Sequence, residues 1–435
     1  MDLSRQANLF LEQEARALKT RLNRVKSFAL FESTVPAAAP GQEAFLGIER
    51  FVAHTRAELG SDLDGFSGWL GSAEGRAAPP EAAQARLCFL RIRFNTLLSQ
   101  FDMFADALTQ RSEPDTGVWL AGLDEAASDA LCLEDGSYVP PPVLCYLDRG
   151  HGAAIRRART RLPGGGSNPV AVIRVPRERM VGSGIAASLV HEVGHQGCAL
   201  LGLVESLRPV LQGMQSKGGE ARVAWDLWDR WISEILADYW AVARLGIAAT
   251  LGLFAVVSLP SSIVFRVSES DPHPSPWIRL LLSAALGGVL YPHPQWESMR
   301  RLWIALYPPA KLGSDRRRIF EQLLATMPAF AALVVNHRPR SLRGRSLAEA
   351  MNTTERRPAR LAHHYRAWRG PRWKNVRPTM AFAVLGQARW NGWLSPEAES
   401  RMVASLLQHW ALRRALSSGV SCARPGNPIS MRRLS

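Results

Sequence analysis

The chain has 435 residues, 47% of them hydrophobic and 21% charged, a balance that excludes wholesale disorder and allows two or three domains with a sizeable core. Its formal net charge of +15 is uneven: from Lys311 onward 23 Lys and Arg stand against 6 Asp and Glu, so everything before that point is close to neutral. Basicity belongs to the C-terminal part, and an anionic partner would be met there.

The first segment, MDLSRQANLFLEQEARALKTRL, reads as an amphipathic helix and lacks the apolar stretch of a secretory signal. Helical periodicity continues to about residue 135, as in Ala85–Gln110, where apolar residues recur every three to four positions. Breaks fall at Pro36–Gly41 and Ala78–Pro80. Residues 1–135 are therefore expected to form a helical N-terminal domain with no catalytic constellation. Five cysteines (Cys88, Cys132, Cys145, Cys198 and Cys422) are scattered without any CxxC pair. That pattern argues against a disulfide framework and for a reducing, cytoplasmic compartment.

Between 136 and 310 the texture changes. Val143–Asp148 is a short β-rich run, Gly150–Leu162 reads as a helix, and Val170–Val175 has the strongest β-branched content in the chain. A helix is expected to begin near Ser183, a plausible N-cap, and to run to about Gly202. Leu245–Phe265 carries no charge and is long enough to cross a bilayer, with Arg244 and Arg266 at its ends. Its small residues, Pro260 and a mean hydropathy of −0.08 for the whole chain favour a buried core helix over an inner-membrane span.

The helix after Ser183 carries the chemistry. In His191-Glu192-Val193-Gly194-His195 the histidines stand at i and i+4, so both imidazoles leave one helical face. Two histidines one turn apart suit Zn2+, which takes nitrogen and oxygen ligands at roughly 2.0–2.2 Å. Glu192 follows the first ligand and stands where it can exchange a proton with an attacking water.

A second helix, within 222–244, places Glu234 and Asp238 at i and i+4 in apolar company, beside a Trp225, Trp228, Trp231 stripe. Carboxylates on such a helix are costly unless a cation meets them. Glu234 would complete a His191, His195, Glu234 ligand set, and Asp238 would accept the Nδ1–H of a ligand histidine, most simply His191.

HEVGH followed by Glu234-Ile-Leu-Ala-Asp238 resembles the gluzincin metallopeptidases, the thermolysin-like class; the resemblance covers about 145–245. It implies an α+β, predominantly α-helical fold, with a small β-sheet and the HExxH helix in a core flanked by helical N- and C-terminal regions. It implies a zinc-dependent peptidase acting on a peptide or protein. It also implies that Val170, Ala171, Val172 and Ile173 form an edge strand that pairs with the substrate. Asp271-Pro272-His273-Pro274 is similar to an element of the membrane-associated prenyl-protein and stress-response proteases, which implies that His273 faces the site and steadies an oxyanion. His293, Arg279 and Tyr239 are alternatives for that role.

Residues 311–435 form a basic, mostly helical region. The run His363–Pro378 interleaves aromatics with arginines, and either nucleic acid or an anionic membrane would fit it, although a solvated basic face explains it more simply. The rival to an enzyme is a scaffold protein with a structural or degenerate zinc site, and the intact Glu192 speaks against it.

Overall fold

The computed structural model describes residues 3–28, 34–148, 152–163, 165–176, 182–268, 271–351, 353–368 and 370–422. The N-terminal segment folds as its periodicity predicts. Helices α1 (Leu3–Leu22), α2 (Gln42–Gly71) and α4 (Pro80–Thr109) pack together, with the short α3 (Ala73–Ala77) before α4. Helix α1 buries Leu11, Ala15, Leu18 and Leu22, one stripe at helical spacing. Ile48, Leu63, Leu87 and Phe94 of α2 and α4 meet that stripe in one hydrophobic core.

Three strands follow: β1 (Val143–Asp148), β2 (Ala154–Arg156) and β3 (Ala171–Pro176), in the order β1-β3-β2. Strand β1 runs parallel to β3 and β2 antiparallel to it. Side-chain alternation sends Leu144, Val170 and Val172 into the N-terminal core, while Cys145, Leu147, Ala171, Ile173 and Val175 enter a second, larger one. The sheet is the wall between the two.

This arrangement overturns two expectations. Residues 150–162 are not a helix: β2 and a turn occupy 154–160, because pairing with β3 overrides the helical propensity of an Ala- and Arg-rich run (Gly150 and His151 lie outside the described residues). Val170, Ala171, Val172 and Ile173 do not form an edge strand either. Strand β3 is central and bonded on both sides, so the outer strands are β1 and β2; on β1 the Cys145 and Leu147 N–H groups donate to the Asp124 and Gln110 side chains.

The second core draws on the rest of the chain. It contains α5 (Pro114–Leu131), α6 (Gly182–Leu201), α7 (Leu203–Lys217), α8 (Arg222–Arg230), α9 (Ile232–Leu245) and α10 (Ile247–Val257). After the short α11 (Ser261–Val264) come α12 (Pro276–Leu290), α13 (Gln295–Leu306) and α14 (Ser314–Asn336). The short α15 (Leu347–Ala350) and α16 (Pro358–Ala367) lead to α17 (Pro378–Trp390) and α18 (Pro396–Cys422). Helix α5, within the expected N-terminal domain, sits in this core, and Phe330, Phe382 and Trp410 of the C-terminal region share it.

Ser183 lies in the first turn of α6, which starts at Gly182, and the position before it is outside the described residues. The apolar run Leu245–Phe265 is not one helix. Gly246, at φ 58° and ψ −135°, adopts a backbone that side-chain-bearing residues avoid, so the chain turns there. Helix α10 then has 11 residues, too few to span a bilayer, and Pro260 precedes α11. Among the described residues one helix, α14, is long and apolar enough to cross a membrane by length and composition; its Phe320, Leu323, Phe330 and Val334 are buried in the second core.

Small residues set how closely the site helices approach. A Cβ on Gly194 would stand 2.9 Å from the Ala237 Cα, and one on Gly197 would stand 2.4 Å from the Trp240 ring, so α9 lies directly on α6. Helix α10 meets α6 in the same way at Gly252, where a Cβ would be 2.3 Å from that of Ala187.

Candidate metal centre

The close contact of α6 with α9 brings the predicted ligands together. His191 Nε2 lies 3.2 Å from Glu234 Oε2, and His195 Nε2 lies 3.5 Å from Glu234 Oε1. One ligand atom from each of the three residues falls within 4.8 Å of the others. Donor atoms about 2.1 Å from a tetrahedral metal stand roughly 3.4 Å apart, so this spacing suits a metal ion. Glu234 Oε2 is buried between His191 Nε2 and His273 Nε2, each 3.2 Å away, and forms no well-aligned hydrogen bond with either.

Surrounding groups orient the set. His191 Nδ1 is 2.8 Å from Asp238 Oδ1, which turns Nε2 toward Glu234. Arg279, one turn into α12, grips Asp238 with two bonds, Nε to Oδ2 at 2.6 Å and Nη2 to Oδ1 at 2.8 Å. His273 Nε2 is 3.2 Å from Glu234 Oε2, while its Nδ1 is 2.9 Å from Asp271 Oδ1. Glu192 is buried beside these groups.

Electrostatics follow from this crowding. Burial opposes the ionisation of Glu234, yet the imidazoles of His191, His195 and His273 hold its carboxyl far below the usual range. Burial likewise opposes the charge on Asp238, and Arg279, then His191, override it. His191 loses solvation by burial but is pushed up to about 9 by Asp238 and Glu234. Glu192 is raised, chiefly by burial. Glu192, Glu234 and Asp238 thus share one permanent cation, Arg279, and a metal ion held by neutral imidazoles would balance the remaining negative charge.

A cavity of about 240 Å3 opens beside the site, reached by His191, Glu192, Asp238, His273 and Arg279. Gly152 and Ala153, which lead into β2, line it as well. The structure thus brings His191, Glu192, His195, Glu234, Asp238 and His273 into one place, and leaves Val170–Ile173 within the sheet. The alternatives for His273 separate cleanly. His293 is exposed, and its Nδ1 accepts from the Gln295 backbone; Tyr239 is fully buried and does not line the cavity; Arg279 does line it. Sequence reading missed Asp271 and the walls supplied by α10 and α12. Asp271, two residues before His273, was the one available local signal.

Comparison with protein families, with characterised proteins and with solved structures finds no match to this chain.

Proposed function

We propose that the chain is a zinc-dependent hydrolase of peptide bonds, with His191, His195 and Glu234 as the metal ligands. The convergence of those three donors beside a buried glutamate and an open cavity carries this reading. Bound zinc would supply a Lewis acid that activates water and polarises a carbonyl. Glu192 is the proton shuttle: its carboxylate takes a proton from the attacking water and returns it to the departing nitrogen. Hydroxyl ends on the carbonyl carbon and hydrogen on the amine, so one water balances the broken C–N bond.

Arg279 holds Asp238, and Asp238 holds His191, so this chain of contacts fixes the ligand's orientation. His273, half exposed at the cavity, can donate to the negative oxygen that develops on the substrate. The outer strand β2, with Gly152 and Ala153 at the cavity, offers main-chain groups to an extended peptide. A cavity lined by His191, Glu192 and His273 suits a catalytic site better than a closed structural one. Free thiols at Cys88, Cys132, Cys145 and Cys198 suit a reducing compartment such as the cytoplasm.

Metal analysis by mass spectrometry on wild type, Glu192→Gln and Glu234→Ala, paired with a peptide-cleavage assay, tests the proposal. About one zinc per chain in the first two, sharp loss in the third and cleavage by wild type alone are expected. Folded wild-type protein that takes up no zinc would overturn it.

A further inference from the structure

The cavity at the site is small and mostly aliphatic away from the reacting groups. Ala187, Val242, Ala249, Leu253 and Val256 form its walls. Ser188 and Ser283 are the polar exceptions, and the Ser283 hydroxyl is already engaged with that of Thr250 at 2.8 Å. At about 240 Å3 the space lies below the usual range for small-molecule pockets.

A second cavity, of about 610 Å3, adjoins it, and Gly252 and Val256 line both. Leu251, Phe254 and Ala255 of α10 supply its apolar side. Its far end comes from the C-terminal region: Arg389 of α17, with Pro396 and Glu399 of α18. The charges there are spoken for, since Arg389 Nε is 3.4 Å from Glu399 Oε2 and the Ser183 hydroxyl donates to Glu399 Oε1. A charged guest would find no free counter-charge among these residues and would lose its water.

We infer that the site reads two neighbouring residues on one side of the bond it cuts: a compact aliphatic side chain in the first cavity and a bulkier apolar one in the second. This rests on the peptide-hydrolase reading above. Val256, at the junction, sets the size limit of the first position, and α17 and α18 shape the second. Packing of this kind discriminates by roughly ten-fold to two-hundred-fold per methylene.

The test is cleavage of a mixed peptide library by the zinc-loaded full chain, with the cut bonds sequenced. Two consecutive apolar residues on the same side of the cut should be enriched at least ten-fold over charged ones. Val256→Trp should lower kcat/KM for the preferred peptide at least ten-fold while zinc per chain stays unchanged. Val256→Ala, which asks less of the fold, should admit a bulkier first residue. Cleavage without apolar preference, or with the same preference in both variants, overturns the inference and leaves the hydrolase reading standing. Zinc-loaded protein that cuts no peptide overturns both.

Discussion

Helices α2 and α4 on one side of the sheet, and α6 and α9 on the other, bury their surfaces in opposite ways. The first pair, each 30 residues long, meets through Leu and Phe side chains and keeps its charges outside, as in Arg93 with Asp62. The second pair is shorter and meets through Gly194, Gly197 and Ala237, and it carries Glu192 and Asp238 at 7% and 8% exposure. Amphipathic helices need only a common apolar stripe, whereas helices that enclose carboxylates must hold partners for them at hydrogen-bond distance. The N-terminal bundle is built for stability, and the second pair for its charges.

That contrast can be broken or sharpened by experiment. The largest effect expected is from Glu192→Gln, which should cost peptide cleavage roughly a hundred- to ten-thousand-fold while zinc stays bound; equal activity would remove Glu192 from the chemistry. Leu87→Ala, at a fully buried bundle position, should cost about 2–5 kcal/mol in urea unfolding with metal content per folded chain unchanged. Removing zinc from protein saturated at a hundred times Kd should cost about 2.7 kcal/mol. Hydrogen exchange should then show α6 and α9 losing protection and α2 and α4 keeping it. Gly194→Val should cost about 1–3 kcal/mol and also weaken zinc binding, because it forces Ala237, and with it Glu234, away from α6.

The smallest effect is electrostatic. Burial raises the carboxyl of Glu399 against the opposing pull of Ser183 and Arg389. A group raised in the folded state loses stability as pH climbs from its unfolded value through its folded one. Glu399→Gln should therefore unfold at a slightly higher temperature than wild type at pH 7, and the difference should vanish below about pH 4.3. A variant less stable than wild type at pH 7 would mean that the Arg389 contact outweighs burial.

The His191, His195, Glu234 cluster was legible because each half of it is local: His191 with His195, and Glu234 with Asp238, each span one helical turn. The mostly helical character and the long N-terminal helices were legible for the same reason. Strand order was not, since nothing in Val170–Ile173 says whether one or two neighbours will bond to it. Ala154–Arg156 misled because its composition favours a helix and only the distant β3 makes it a strand. Gly246 reads as one small residue among several in an apolar run, and its φ of 58° is visible only once α9 and α10 are placed. Arg279 was one of several candidate donors until folding set it against Asp238 across 41 positions of sequence.

The tryptophans of α8 carry a consequence for how this chain can be divided. Trp228 donates to the Thr326 hydroxyl at 2.9 Å and stacks on Phe330 at 4.6 Å, so the helix that leads into Glu234 rests on α14. A protein shortened to end near residue 310 would keep every residue of the candidate metal centre and still lay bare the indoles beneath it, inviting aggregation. The centre is therefore not a portable cassette. It depends on the α14 helix that supports α8 from outside the site.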